Sequence, residues 1–302
     1  MDALSKPCGL SGEQIRSGNS RIMRLFSLYL NLMPGAVDAD AIRSIADECC
    51  LPFSEAYAQF LAASAGFDAA GEDRAFYGFW LKPAMRLLDP APFYADPYFA
   101  VVGAAAGTHG KWQLKQEKLA PFEAFVCGDP VVTPDRRMIP QIGFFKEPYA
   151  YPAMLENGRE WMTLLPNETV TTAPAIEAAH GRVLTYGLGL GYFAYHASEK
   201  PDVDSVTVVD ISPDVIELFR THLLPRFPHG EKITLVCEDA FRFAETKMAG
   251  NFDFVFADIW HDAGDGRDLY LKMLPWRDRF PDVTFAFWLE DTLRCYLDPT
   301  LW

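Results

Sequence analysis

The sequence predicts a doubly wound, mostly parallel α/β sheet over residues 167–302. An N-terminal helical domain (residues 1–105) and a short β-rich connecting region (residues 106–166) precede it. Three observations carry that expectation. From residue 167 onward short apolar runs alternate with helical periodicity, a glycine-dense turn follows the first run, and the later runs end in or beside an acid. Strands joined by crossover helices make a parallel sheet, and such sheets take ligands at the carboxyl ends of their strands.

The elements follow in order. Ile22, Leu25, Phe26 and Tyr29 recur at helical spacing until Pro34-Gly35 stops the helix. Asp38 suits the cap of a second helix with Ile42, Ile45 and Cys49 inward, and Ser54 the cap of a third, carrying Tyr57, Phe60 and Leu61 and closed by Gly66. A fourth, aromatic-rich helix is expected over residues 72–88, with Pro83 as a kink or break. Short helices joined at Leu51-Pro52 have the outline of a helix-turn-helix, but Asp47-Glu48 and the scarcity of basic residues make a helical cap the better reading. Between residues 90 and 166, prolines and glycines punctuate apolar runs at 98–102, 122–126, 139–145 and 161–165, which read as strands and loops. The expected sheet strands are residues 183–186, 206–209, 233–236, 252–257 and 283–289. Helical segments at 192–200, 213–224, 240–249 and 267–274 lie between them.

Charge narrows the function classes. Lys and Arg number 27 against 41 Asp and Glu, a net −14, which disfavours a phosphate-tracking role, so no nucleic-acid partner is expected. A small-molecule acceptor, a cationic one included, sits more easily with that balance. Residues 1–20 carry Asp2, Lys6, Glu13 and Arg16 without an apolar core, so no signal peptide is expected. The longest apolar stretch, residues 25–33, is too short to span a bilayer, and no membrane partner is expected. Six cysteines lie scattered without a C-x-x-C pair, and no histidine cluster has zinc spacing. A cytoplasmic protein with reduced thiols follows as the expectation. A homodimer stays open.

Chemistry concentrates after residue 186. Gly187-Leu188-Gly189-Leu190-Gly191 follows the first strand and opens a helix, where glycine allows a tight turn and close approach of a ligand to the backbone. Gly189, Gly191 and Ala194 also fit the dinucleotide pattern G-x-G-x-x-A. Asp210 ends the second run, nineteen residues past Gly191, where a carboxylate accepts hydrogen bonds from ribose hydroxyls; the same residue opens the turn before Ser212-Pro213. Asp239, followed by Ala240 and Phe241, is placed to accept from an adenine amine, or to cap the next helix. Asp258 ends the fourth run, with Trp260, His261 and Asp262 in the following loop, and Glu290-Asp291 follow the fifth. These acids can act as general bases, hold an amine, or ligate a hard cation. Asp262 and Asp265 read better as a solvated acidic loop.

Residues 182–274 resemble the class I S-adenosylmethionine-dependent methyltransferase superfamily, with its Rossmann-like sheet of methyltransferase type. Within it they are most similar to the spermidine synthase-like branch. Gly-Arg-Val-Leu before the glycines, Val-Thr-Val-Val-Asp-Ile-Ser-Pro-Asp-Val-Ile at 206–216 and the β-rich region upstream carry the likeness. The resemblance implies S-adenosyl-L-methionine as cofactor. Gly187, Gly189, Leu190 and Gly191 would line its methionine part, Asp210 and Ile211 its ribose, Asp239 and Ala240 its adenine, with Asp258 at the reacting end. Asp258 and then His261 become the candidate catalytic residues, and Glu168, Trp260, Asp262 and Glu290 candidate substrate contacts; no metal is assigned. Aminopropyltransferases carry an acid inside the glycine loop, where Leu190 stands, and Asp-Pro after the strand-four acid, where Ile259-Trp260-His261 stand. Methyl transfer to a small acceptor is therefore the leading expectation, with aminopropyl transfer or a non-catalytic adenosyl-binding module behind it. Asp258-x-Trp260-x-Asp262 with Glu290-Asp291 also resembles the magnesium-dependent catechol-type O-methyltransferases. Asn167 and Glu168, in the segment leading into the sheet, are as well suited to an active-site rim as to a helix start. With thirteen residues after Leu289, either the sheet is short or upstream strands complete it.

Overall fold

A computed structural model describes residues 7–32, 37–103 and 105–302. The Pro34-Gly35 stop lies outside the described residues. Two compact units emerge, each drawn from discontinuous stretches. One comprises the described residues up to Pro90 with Lys118–Tyr149 and Arg294–Trp302; the other comprises Ala91–Glu117 and Ala150–Leu293.

The first unit is built on helices Gly12–Leu32, Ala39–Glu48 and Phe53–Ser64. Asp38 caps the second, accepting from the Ala41 N–H, and buries Ile42, whereas Cys49 is exposed at the far cap. The third begins one residue before Ser54, without a side-chain cap, and Gly66 follows its end at φ +72°. The expected helix over 72–88 stops at Ala84; its middle, Tyr77–Leu81, is π-helical, and Met85–Leu87 is a strand parallel to Ile142–Phe144. Pro83 has no N–H for the carbonyl of Phe79, and the buried Arg137 reaches that oxygen instead. Buried Asn19 uses its whole amide. Its nitrogen donates to the Arg136 and Leu301 carbonyls, while its oxygen accepts from Trp80 Nε1 and the Met138 N–H.

The second unit holds most of one sheet, whose strands include residues 118, 119 and 149 of the first unit's stretch, and the whole of another. One has the strand order Gly107–His109, Trp112–Leu119, Tyr149–Glu156, Arg159–Thr163. The other has five parallel strands: β1 (Gly181–Tyr186), β2 (Val203–Asp210), β3 (Ile233–Cys237), β4 (Phe254–Ala257) and β5 (Thr284–Phe287), in the order β3-β2-β1-β4-β5. Helices α1 (Pro166–Ala178), α2 (Tyr192–Glu199), α3 (Pro213–His222), α4 (Ala240–Lys247) and α5 (Ala263–Arg279) precede or join them. This is a Rossmann-like α/β sheet, with its order reversing between β1 and β4. Among the described residues the sheet stays at five strands, and the upstream strands pair elsewhere. Residues 98–102, expected as a strand, form the helix Pro97–Val102. Asp96 caps it by accepting from the Tyr98 N–H, and Pro97 supplies a helical φ at its start. Helix α5 runs well past the expected 267–274 on both sides, because Asp262 and Asp265 form a capping box at its start.

Candidate active site

The carboxyl ends of β1 to β4, with the strand Arg159–Thr163 and the start of α1, enclose a cleft of about 780 Å³. Its floor is the turn after β1. Gly187, Gly189 and Gly191 all adopt left-handed φ, at +92°, +49° and +78°. A Cβ at Gly187 would collide with the Asp258 carbonyl oxygen, one at Gly191 with the Phe219 ring, and one at Gly189 with the Met162 sulfur. The glycines are thus required first by the protein's own packing. Tyr98, fully buried, donates its hydroxyl to the Leu190 carbonyl and holds the loop from behind. Asp96, which caps the Tyr98 helix, also accepts from the Tyr192 hydroxyl at the head of α2.

Asp210 ends β2 and is pinned by two backbone donors: Leu188 N–H to one oxygen at 3.0 Å and Ser212 N–H to the other at 2.8 Å. Each oxygen thus keeps a lone pair beyond its backbone bond, in a residue that lines the cleft. Burial raises its pKa despite those bonds. Asp239 caps α4, one oxygen accepting from the Arg242 N–H at 2.9 Å, and also lines the cleft with Ala240 and Phe241. The capping reading of Asp239 holds, in a residue that also lines the cleft.

Asp258 extends β4 by one ladder bond, its N–H donating to the Tyr186 carbonyl. Glu168 comes from the first turn of α1. Both side chains line the cleft and also a water-sized cavity of about 20 Å³ beneath the glycine turn, with Thr172 and Thr185. Desolvation, then the nearby Asp210 charge, raises Asp258 to a pKa of about 7. Burial and the Asp258 charge push Glu168 well above the usual carboxylate range. Two carboxyls sharing a low-dielectric site do not both ionise near neutrality, so the pair carries about one charge or less.

The predicted residues separate by place. Gly187, Gly189, Asp210, Ile211, Asp239, Ala240, Asp258, Glu168, Trp260 and His261 line the cleft; Leu190, Gly191, Asp262 and Glu290 do not. Asp262 spends its carboxylate on the N–H groups of Gly264 and Asp265, and Glu290 accepts from Tyr270 and Arg277. Among the described residues no three His, Cys, Asp or Glu side chains meet as metal ligands. His261 is exposed, near Asp262 and tilted against the ring of Trp161. Sequence reasoning misses the opposite wall: Met162, Trp161 and Trp112. Met162 and Trp161 lie in the segment just ahead of the sheet, where position was the available signal. Trp112 has no local signal, being brought there by long-range strand pairing.

The fold and cleft define a Rossmann-like α/β protein with a cleft at its strand ends. No protein-family model matches the chain, and no curated protein does. Among solved structures it is similar to a probable spermidine synthase from Corynebacterium glutamicum ATCC 13032, at 16% identity and a TM-score of 0.31. The match covers 52% of each chain, so this chain spans about half the length of that structure. A likeness that distant says nothing of activity. Among the described residues no helix is long and apolar enough to cross a membrane.

Proposed function

We propose that the protein is an S-adenosylmethionine-dependent transferase that methylates a small-molecule acceptor in the strand-end cleft. One observation carries the reading: the Glu168–Asp258 carboxyl pair, with Asp258 raised to about 7, stands beside the glycine turn on the same cleft as a pinned Asp210. The donor set fits the cofactor. Asp210 offers its free lone pairs to ribose hydroxyls, Asp239 its free oxygen to an adenine amine, and Ala240 with Phe241 an apolar wall. The cleft volume lies within the range of small-molecule sites, about 300–1,000 Å³. When bound, the cofactor supplies an electrophilic methyl group.

The chain's own contribution is positioning and one proton. Asp258, poised near neutrality, accepts the acceptor's proton at a carboxylate oxygen. Glu168 beside it, its pKa raised by burial and by the Asp258 charge, disfavours a second charge in the site. Trp112 and Trp161, edge to face at 5.8 Å between ring centroids, line the cleft and support orientation of an acceptor.

The carboxyl pair also suits an ammonium group, which favours aminopropyl transfer to an amine as the second reading. Calorimetric titration with S-adenosylmethionine, S-adenosylhomocysteine, decarboxylated S-adenosylmethionine, methylthioadenosine and NADPH tests both. Binding of the first two, with turnover on an acceptor panel, is the expected result. Preference for the decarboxylated compound moves the assignment to aminopropyl transfer. Binding without any turnover leaves a non-catalytic adenosyl module, and NADPH binding alone ends the adenosyl reading.

A further inference from the structure

Met162 lies on the strand Arg159–Thr163, and its side chain crosses to the glycine turn. The Leu190 N–H donates to its sulfur at 3.1 Å, and the same sulfur fills the space that a Cβ on Gly189 would need. Met162 lines both the main cleft and the small cavity that holds Glu168 and Asp258. One flexible thioether therefore covers the loop at the point where β1 and β4 end.

The strand order gives that position its meaning. On the proposed adenosyl reading, ribose and base contacts fall to Asp210 at the end of β2 and Asp239 beyond β3, both of which line the cleft. Whatever a nucleoside carries beyond its 5′ carbon must then lie over the ends of β1 and β4, beside Asp258 and against Met162, which screens the Leu190 N–H from the cleft. A thioether is a weak acceptor on an unbranched, adaptable chain, whereas a carboxylate is a strong acceptor for a backbone N–H. A ligand ending in a small 5′ group leaves Met162 in place and packs against it. A ligand with a charged chain beyond its sulfur must move Met162 away first.

Resting on the adenosyl reading above, we infer that Met162 is a specificity-determining residue that discriminates between 5′-thionucleosides with and without an amino-acid chain. Its side chain occupies the loop in the free protein, so the apparent affinity for a chain-bearing ligand is reduced by the fraction of molecules in which Met162 has left. Affinity for a chainless ligand is not.

The test measures Kd for S-adenosylhomocysteine and for methylthioadenosine in the wild-type protein, Met162→Ala and Met162→Leu. Met162→Ala is expected to tighten S-adenosylhomocysteine about 5- to 10-fold and to leave methylthioadenosine within about 2-fold or weaker. Met162→Leu keeps the bulk without the sulfur acceptor and is expected to shift the ratio of the two constants about 2- to 3-fold the same way. It decides the matter alone should the alanine variant not fold. A ratio unchanged or shifted oppositely, with wild-type binding of either nucleoside intact, overturns the role of Met162 and leaves the proposed function standing. Binding of neither nucleoside by the wild-type protein overturns the proposed function, and this inference falls with it.

Discussion

Asp258 concentrates the residue-scale chemistry. A carboxyl that titrates near pH 3.9 in an unfolded chain and near 7 in the native one binds more protons when folded across that interval. Its contribution is therefore neutral below about pH 4 and becomes progressively destabilising as pH rises through 7. Asp258→Asn is expected to stabilise the protein by roughly 1–3 kcal/mol at pH 8 and by nothing measurable at pH 4, read from urea unfolding. A rise from the ordinary carboxylate value to about 7 would carry about 4 kcal/mol, less what residual solvent access returns. Turnover should move the other way, falling about 10²- to 10⁴-fold in the variant, and the wild-type rate should rise with pH through an apparent pKa near 7. A flat profile over pH 5–9 would remove Asp258 from the proton transfer. Gly187→Ala is the matching backbone test. Its φ of +92° and the Asp258 carbonyl in the way should cost about 3 kcal/mol or more in the same assay. The places of Asp258 and Gly187, at a strand end and in a glycine turn, were readable in the sequence. The protonation of Asp258 was not, because desolvation is a property of what packs around a group.

Capping decides most of the element-scale outcomes. Asp262, one of the acids the sequence offers to a metal or substrate, starts α5 instead, within a capping box shared with Asp265. Asp262→Ala should cost about 1 kcal/mol of stability and leave kcat and the response to magnesium unchanged. A magnesium-dependent loss of turnover would return Asp262 to the site. Local signals read well where one residue settles the matter: Asp38 and Ser212 cap helices, and Gly66 follows one. They fail at residues 98–102, where an apolar run has the look of a strand. The deciding groups are Asp96 and Pro97 just ahead of it, a helix-start signal easily outweighed by Tyr98, Phe99, Val101 and Val102. The π-helical turn at Tyr77–Leu81 has no local signature beyond Pro83, since the carbonyl freed there is met by Arg137, more than fifty residues on.

For the whole molecule, ligand binding and charge give the sharpest expectations. S-adenosylhomocysteine at 100 times its Kd should raise the unfolding free energy by about 2.7 kcal/mol, observable as a denaturation midpoint that climbs with ligand concentration. A midpoint indifferent to the nucleoside would mean that the native state does not bind it preferentially. With 41 acids against 27 bases, the chain should pass through heparin or duplex DNA columns unretained at low salt. Retention that weakens with added salt would reveal a basic surface unsuspected from the totals.

The sequence by itself determined the parallel sheet, the glycine turn at 187–191 and the acids at 210, 239 and 258, because hydrophobic period and turn chemistry act over a few residues. Tertiary structure alone decided that Glu168 joins Asp258 while Asp262 and Glu290 turn elsewhere, and that Met162 and Trp112 form the facing wall. Those outcomes depend on which side chains a three-dimensional neighbourhood desolvates, pairs or crowds. A neighbourhood assembled from segments scores of residues apart leaves no local pattern in the chain.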